Sequence, residues 1–245
     1  MEQSLQTTST SRLPTVPPKG SWGAEKSSAA DLIIPKILIM QGQSKFVTDE
    51  KIQARQGELR DSLQGKLLAK PGEPIRFIPF YLYNTWIDFE KRNGKFEFVG
   101  MYERNTANED LEWEFTKDGK EMKRTKAINA YVLLEKELGG VFLPYVLSFS
   151  STSFKIGKKF VTLVEMLKQF DLAPAHKVFE LSTHKASNDK GTWFAPDVEQ
   201  VADTSDEHLA IAYNWYLRVV KGGVKVDTSD MSDDVTPTQE MPTNF

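Results

Sequence analysis

Trp113, Phe115, Arg124 and Lys126 are the residues of this 245-residue chain whose types and spacing best suit a chemical task. The two aromatics precede Asp118-Gly119 and the two cations follow it. Asp-Gly supplies both positive-φ positions of a tight turn, so residues 111–126 are predicted to form a hairpin. In that register Trp113 falls opposite Arg124, Phe115 opposite Met122 and Leu111 opposite Lys126, while Glu114 and Lys123 pair on the other face. Aromatic platforms on which bases stack, beside cations that follow phosphates, are what single-stranded nucleic acid requires. Lys117 and Lys120 flank the turn, and Lys158 and Lys159 add cations from a helix predicted farther along. The same pattern has a second reading, in which Trp113 and Phe115 are core and the basic side chains lie over them with only their charged heads in water.

Trp86 is a further aromatic candidate. It lies in residues 75–102, which hold nine of the chain's 27 aromatic residues and turn at Asn93-Gly94. With a two-residue loop, Phe89 faces Phe98 and Ile87 faces Gly100, placing Thr85, Ile87, Phe89, Phe96, Phe98 and Tyr102 on one face. Trp86 falls on the other with Asp88, Glu90, Glu97, Val99 and Met101, a mixture that suits water. It is therefore expected to be exposed. Pro79 has no N–H to give and marks a bend or a sheet edge.

Catalytic signatures are missing. The chain has no phosphate-binding Gly-Lys loop, no nucleophile elbow and no His-Glu-x-x-His, and its acids lie among other charges. Ser148, Ser150, Ser151 and Ser153 are read as helix caps. With no cysteine and three scattered histidines (His176, His184, His208) there is no disulfide, thiol chemistry or metal-ligand spacing, so no cofactor and no enzyme activity are expected.

The elements that must position these residues are mostly strands. Residues 32–40 form a first strand interrupted by Pro35 and expected at an edge, residues 127–138 read as strand or short helix, and 141–149 as a central strand. A helix follows with apolar residues at Ile156, Phe160, Leu163, Val164 and Leu167, ending before Pro174. Residues 178–184 and 192–196 give a third hairpin-like unit. A last helix opens at Thr204-Ser-Asp-Glu207 and carries the stripe Leu209, Tyr213, Tyr216, Val220, expected to pack on the sheet. The fold class is mainly β with two or three helices, α+β.

The ends differ from the body. Residues 1–30 are Ser/Thr/Gln/Pro-rich with few large apolar side chains and are expected to be a disordered arm. Residues 224–245 are polar and acidic and expected to be a disordered tail, and from 227 to 245 they carry Asp227, Asp230, Asp233, Asp234 and Glu240 with no base, and Phe245 at the end. Between them, 31–223 reads as a single β-rich domain. The tail takes five of the chain's 34 acids, leaving the body with 29 against 31 bases. A body so near neutrality must build any nucleic-acid surface from local clusters.

An acidic tail closed by Phe resembles the single-stranded DNA-binding proteins of bacteria and tailed bacteriophages, and the residues that carry it are Asp227, Asp230, Asp233, Asp234 and Phe245. In that family the acids run nearly to the final Phe, whereas here residues 236–244 intervene with only Glu240 charged. The long Ser/Thr-rich arm is more similar to the phage-encoded group. The resemblance implies an elaborated OB-fold-like antiparallel barrel that binds single-stranded DNA in phage replication or recombination, with the tail recruiting partner proteins.

No apolar run approaches a membrane span and the N-terminus has no apolar core of a leader. The expected setting is the cytoplasm, the host's for a phage protein, with no membrane partner and a homodimer as one open assembly. A virion or assembly protein with a β-rich body and disordered arms is the alternative reading, and an enzyme of unrecognised type a third.

Overall fold

A computed structural model describes residues 32–48, 52–138, 143–189, 191–221 and 225–228. The predicted arm, Gly139-Gly140, Gly222-Gly223, and Asp230, Asp233, Asp234 and Phe245 lie outside the described residues. The strands are β1 (Ile33–Ile34), β2 (Lys36–Ile39), β3 (Leu59–Asp61), β4 (Leu67–Ala69), β5 (Ile75–Arg92), β6 (Lys95–Glu103), β7 (Glu114–Lys117), β8 (Lys120–Leu134), β9 (Tyr145–Ser150), β10 (Lys177–Asn188), β11 (Gly191–Asp203) and β12 (Lys225–Val226). The helices are α1 (Lys45–Thr48), α2 (Phe154–Lys168) and α3 (Asp206–Val220).

The protein is built on one long antiparallel ribbon, β5 with β8, running in register from Phe77↔Leu134 to Glu90↔Met122. An 18-residue strand spans about 60 Å. Its two ends have different neighbours. At the start of β5 the sheet reads β11-β10-β5-β8-β9-β2-β3-β4, whereas farther along β6 pairs with β5 and β7 with β8. The second half is thus a four-stranded extension, β6-β5-β8-β7, projecting from the larger sheet.

The predicted turns form as read. Asn93 and Gly94 have φ of 49° and 79°, and Asp118 and Gly119 of 52° and 75°, the signs that a type I′ hairpin demands. Phe115 faces Met122 and Glu114 faces Lys123, and Phe89 faces Phe98. A bulge between Asp88 and Phe89 then shifts the rest, so that Ile87 faces Met101 and Trp86 faces Tyr102. That one extra residue moves Tyr102 to the Trp86 face and Met101 to the Phe face.

The larger sheet curls, and α2 fills its concave side with Phe160 and Val164, both at most 3% exposed, against apolar residues of β2–β5 and β8–β11. Phe160, Phe77 and Phe179 meet there with ring centroids 5.2 to 5.9 Å apart. At the rim the Gln41 side chain binds both backbone groups of Phe194 in β11, donating to its oxygen at 2.7 Å and accepting from its nitrogen at 3.0 Å. This clasp substitutes for a ladder. Mainly β with three helices agrees with expectation, but the expected barrel is not closed by strand pairing.

Two further corrections concern the chain's ends. β2, with Pro35 before it, is an interior strand, antiparallel to β3 and parallel to β9. And the folded body does not stop at residue 223: β12 pairs parallel to β1, Asp227 N donates to Ile34 O at 2.9 Å, and Asp227 is buried. On the convex side α3 packs Ala212 and Trp215 over Ile78, Phe80 and Tyr131. Its cap is Ser205, which accepts from His208 N. Of the stripe expected to face the sheet, Leu209 and Tyr216 pack against this core, whereas Tyr213 and Val220 lie on the outer side, 59% and 37% exposed.

Candidate nucleic-acid interface

The face of the extension that continues the concave side of the sheet carries Trp86, Asp88 and Glu90 from β5, opposite Lys126, Arg124 and Met122 of β8. Tyr102 joins from β6 and Phe115 from β7, because β7 sits in register against β8. The candidate set is therefore assembled by a long-range pairing, β5 with β8, in addition to the local hairpins.

Trp86 is not exposed. The chain leaving β6 forms a 3-10 turn, Thr106–Asn108, capped by Asn105, and the Trp86 indole N–H donates to Asn108 O at 3.0 Å beneath it. Its 0% exposure reflects this cover, which a strand pattern does not encode. Arg104, Arg124 and Lys126 all lie over its ring, at 5.8, 5.8 and 5.1 Å from the centroid, close enough for cation–π attraction.

Most of the expected phosphate-binding cations already have carboxylate partners. Arg124 makes two hydrogen bonds to Asp88, at 2.7 and 2.8 Å, and stacks on Phe115 at 4.3 Å. Lys126 Nζ lies 2.6 Å from Glu109, which also accepts from Arg104 at 2.9 Å. Those two cations, Lys126 foremost, hold the Glu109 carboxyl below its ordinary range. Lys120 and Arg92 converge on Glu90 and depress it to about 2, chiefly through their hydrogen bonds. Lys159 reaches Asp197 at 3.4 Å. Burial pushes the Tyr102 phenol up to about 12, so it stays neutral beside this network.

What remains open is Trp113, 55% exposed, its ring standing edge-on to Trp86 at 6.5 Å and 86°. From it a line of ring and cation contacts runs inward: Trp113 to Trp86, Trp86 to Arg104, Arg104 to Phe154 at 5.8 Å, and Phe154 to Lys158 at 5.4 Å. The structure thus brings Trp113, Trp86, Lys126 and Lys158 together, with Lys117 on the same face of β7 as Trp113 and Phe115. Lys117, Lys155 and Lys158 have no carboxylate partner among the described residues. Sequence reasoning missed Arg104, Phe154 and Glu109 and the pairing of Asp88 with Arg124; the β5–β8 ladder makes that pair, while the turn after β6 and the start of α2 bring in the other three. Of the tail residues, Asp227 is not available to a partner, since Ser62 donates to its carboxylate in the folded body.

Fold and site together define a mainly β protein with an aromatic and cationic face on a hairpin extension. It belongs to the Pam3 phage gp34-like protein family, whose model matches residues 8–225, and is thus of bacteriophage type. No curated protein and no solved structure matches the chain. Among the described residues no helix is long and apolar enough to cross a membrane, and no cluster of His, Asp or Glu could hold a metal ion.

Proposed function

We propose that this protein binds single-stranded DNA with little sequence preference, along the line from Trp113 past Arg104 and Phe154 to Lys158. The observation that carries the reading is the exposure of Trp113. A tryptophan left in water at the end of an aromatic and cationic ladder is the arrangement on which a base stacks. Lys117, Lys155 and Lys158 supply charge to the phosphates. Arg124, Lys126 and Lys120, already paired, hold the extension in shape. Base stacking tolerates any sequence, so the activity would serve phage DNA replication or recombination, and the acidic residues beyond Thr228 would engage partner proteins there.

The test is quenching of tryptophan fluorescence by oligo-dT at two salt concentrations, with a duplex of equal length as control. Preference for oligo-dT is expected, with a log–log salt slope of about −0.7 for each neutralised phosphate. Duplex binding as tight as oligo-dT binding would reject the reading and return the extension to the role of an assembly arm.

A further inference from the structure

Helix α3 has two apolar faces and the body uses one. Ala212 and Trp215 are buried against the sheet, with Leu209, Ile211, Tyr216 and Val219 partly so. Around the helix from them, Ala210, Tyr213, Leu217 and Val220 recur at spacings of three and four, forming a second stripe along a 15-residue helix about 22 Å long. Tyr213 is 59% and Val220 37% exposed. Tyr216 borders this stripe and fixes Tyr213 in place: the two rings stack at 6.3 Å, and Tyr216 rests on Tyr81 of β5 at 6.2 Å. An exposed apolar stripe on an anchored helix marks an interaction surface.

The charges of α3 say what fits it. Asp206 and Glu207 open the helix and Arg218 and Lys221 close it, and none of the four has an ion-pair partner among the described residues. Such a helix is complementary to itself when reversed. In an antiparallel pair centred beside Tyr213, Asp206 of each copy meets Lys221 of the other, because the two are one stripe length apart. Opposed helix dipoles favour the same arrangement.

We infer that α3 is the self-association surface of this protein, pairing antiparallel with α3 of a second copy across a twofold axis that passes beside Tyr213. The association is isologous, each stripe covering its mate. One helix face is small against the roughly 800 Å² per partner of a standard interface, so the dimer is weak and concentration-dependent. The inference is independent of DNA binding, which uses the opposite side of the sheet.

Sedimentation equilibrium of the full chain without DNA, from about 1 μM to about 1 mM, spans the range over which so small an interface dissociates. A monomer–dimer equilibrium is expected. Tyr213→Glu places like charges together at the axis without touching the core and should weaken it by about tenfold or more. Lys221→Glu should weaken it as well, and Asp206→Lys combined with Lys221→Glu should restore it by exchanging the two ends of each ion pair. A monomer throughout the range, or a dimer indifferent to Tyr213→Glu, overturns the surface. A double charge variant no better than Lys221→Glu overturns the antiparallel arrangement.

Discussion

Asp88 and Arg124 face each other across the β5–β8 ladder, joined by two hydrogen bonds of 2.7 and 2.8 Å, with side chains 15% and 11% exposed. The cation that the hairpin pattern offers to a phosphate is thus already bound, in a bidentate pair roofed by Phe115. Removing one partner leaves the other charge buried and alone, which costs about 3 kcal/mol or more. Arg124→Ala is expected to lower the urea midpoint, with any loss of oligo-dT affinity traceable to the fold. A stable Arg124→Ala protein with a flattened salt dependence would show that Arg124 contacts DNA directly.

The two tryptophans of the ladder separate stacking from packing. Trp86 is fully buried beneath the 106–108 turn while Trp113 stands half in water. Trp86→Ala opens a cavity and should cost about 3–5 kcal/mol of stability. Trp113→Ala should leave the urea midpoint nearly unchanged and cost about 1–3 kcal/mol of oligo-dT binding. Equal loss of stability in both variants would make Trp113 a core residue and remove the platform.

How much of this was legible follows from the range of each contact. The two I′ turns fixed their hairpins because two residues set the register, and Phe89↔Phe98 and Phe115↔Met122 came out as read. The bulge beyond Asp88 has a single marker, Gly100 within the strand beside it, which alternation alone does not weigh, and it moves Tyr102 and Met101 across the sheet. Trp86 differs from its pattern for another reason: the acids on its face suggest a solvated surface, whereas Asp88 and Glu90 neutralise Arg124, Arg92 and Lys120. The α3 stripe is half right, Leu209 and Tyr216 meeting the core and Tyr213 and Val220 not, because the helix is apolar on two sides and periodicity alone cannot say where the covered one ends.

Glu90 gives the extension an acid limit. Its carboxyl, ordinarily near 4.5, is lowered to about 2 by Arg92 and Lys120. A depressed pKa contributes stability that is whole above the unfolded value and lost as pH falls through the folded one. Between pH 4.5 and pH 2 the thermal midpoint should therefore drop, and Glu90→Gln should flatten that part of the profile. An identical acid profile in the variant would show that other carboxylates carry the transition.

Gly157 sets how closely α2 approaches β9. A Cβ added there would lie 2.6 Å from Cβ of Phe149. Helix propensity favours alanine by about 1 kcal/mol, but Phe149 Cβ is fixed to the backbone and cannot swing aside, and overpacking costs about 1–3 kcal/mol. The clash should win, so Gly157→Ala lowers the urea midpoint. A stabilised variant would mean that α2 can shift outward at little cost.

The acidic C-terminal segment divides at Thr228, and the division decides how its role must be tested. Ser62 accepts from Lys36 N at 2.9 Å and donates to Asp227, whose own N–H binds Ile34 O at 2.9 Å. Deleting 225–245 would strip β12 from β1, uncover Ile34, and leave buried polar groups without partners at about 1–3 kcal/mol each, so the urea midpoint should fall. Deleting 229–245 spares all of these contacts and still removes Asp230, Asp233, Asp234 and Glu240. That shorter deletion should leave the midpoint unchanged and tighten oligo-dT binding at low salt, because a tethered acidic segment competes with phosphate for Lys117, Lys155 and Lys158 at high effective concentration. The gain should shrink as salt screens the competition. Unchanged low-salt affinity in the 229–245 deletion would show that the segment does not shield these lysines, and a lowered midpoint in it would show that the body extends beyond Thr228.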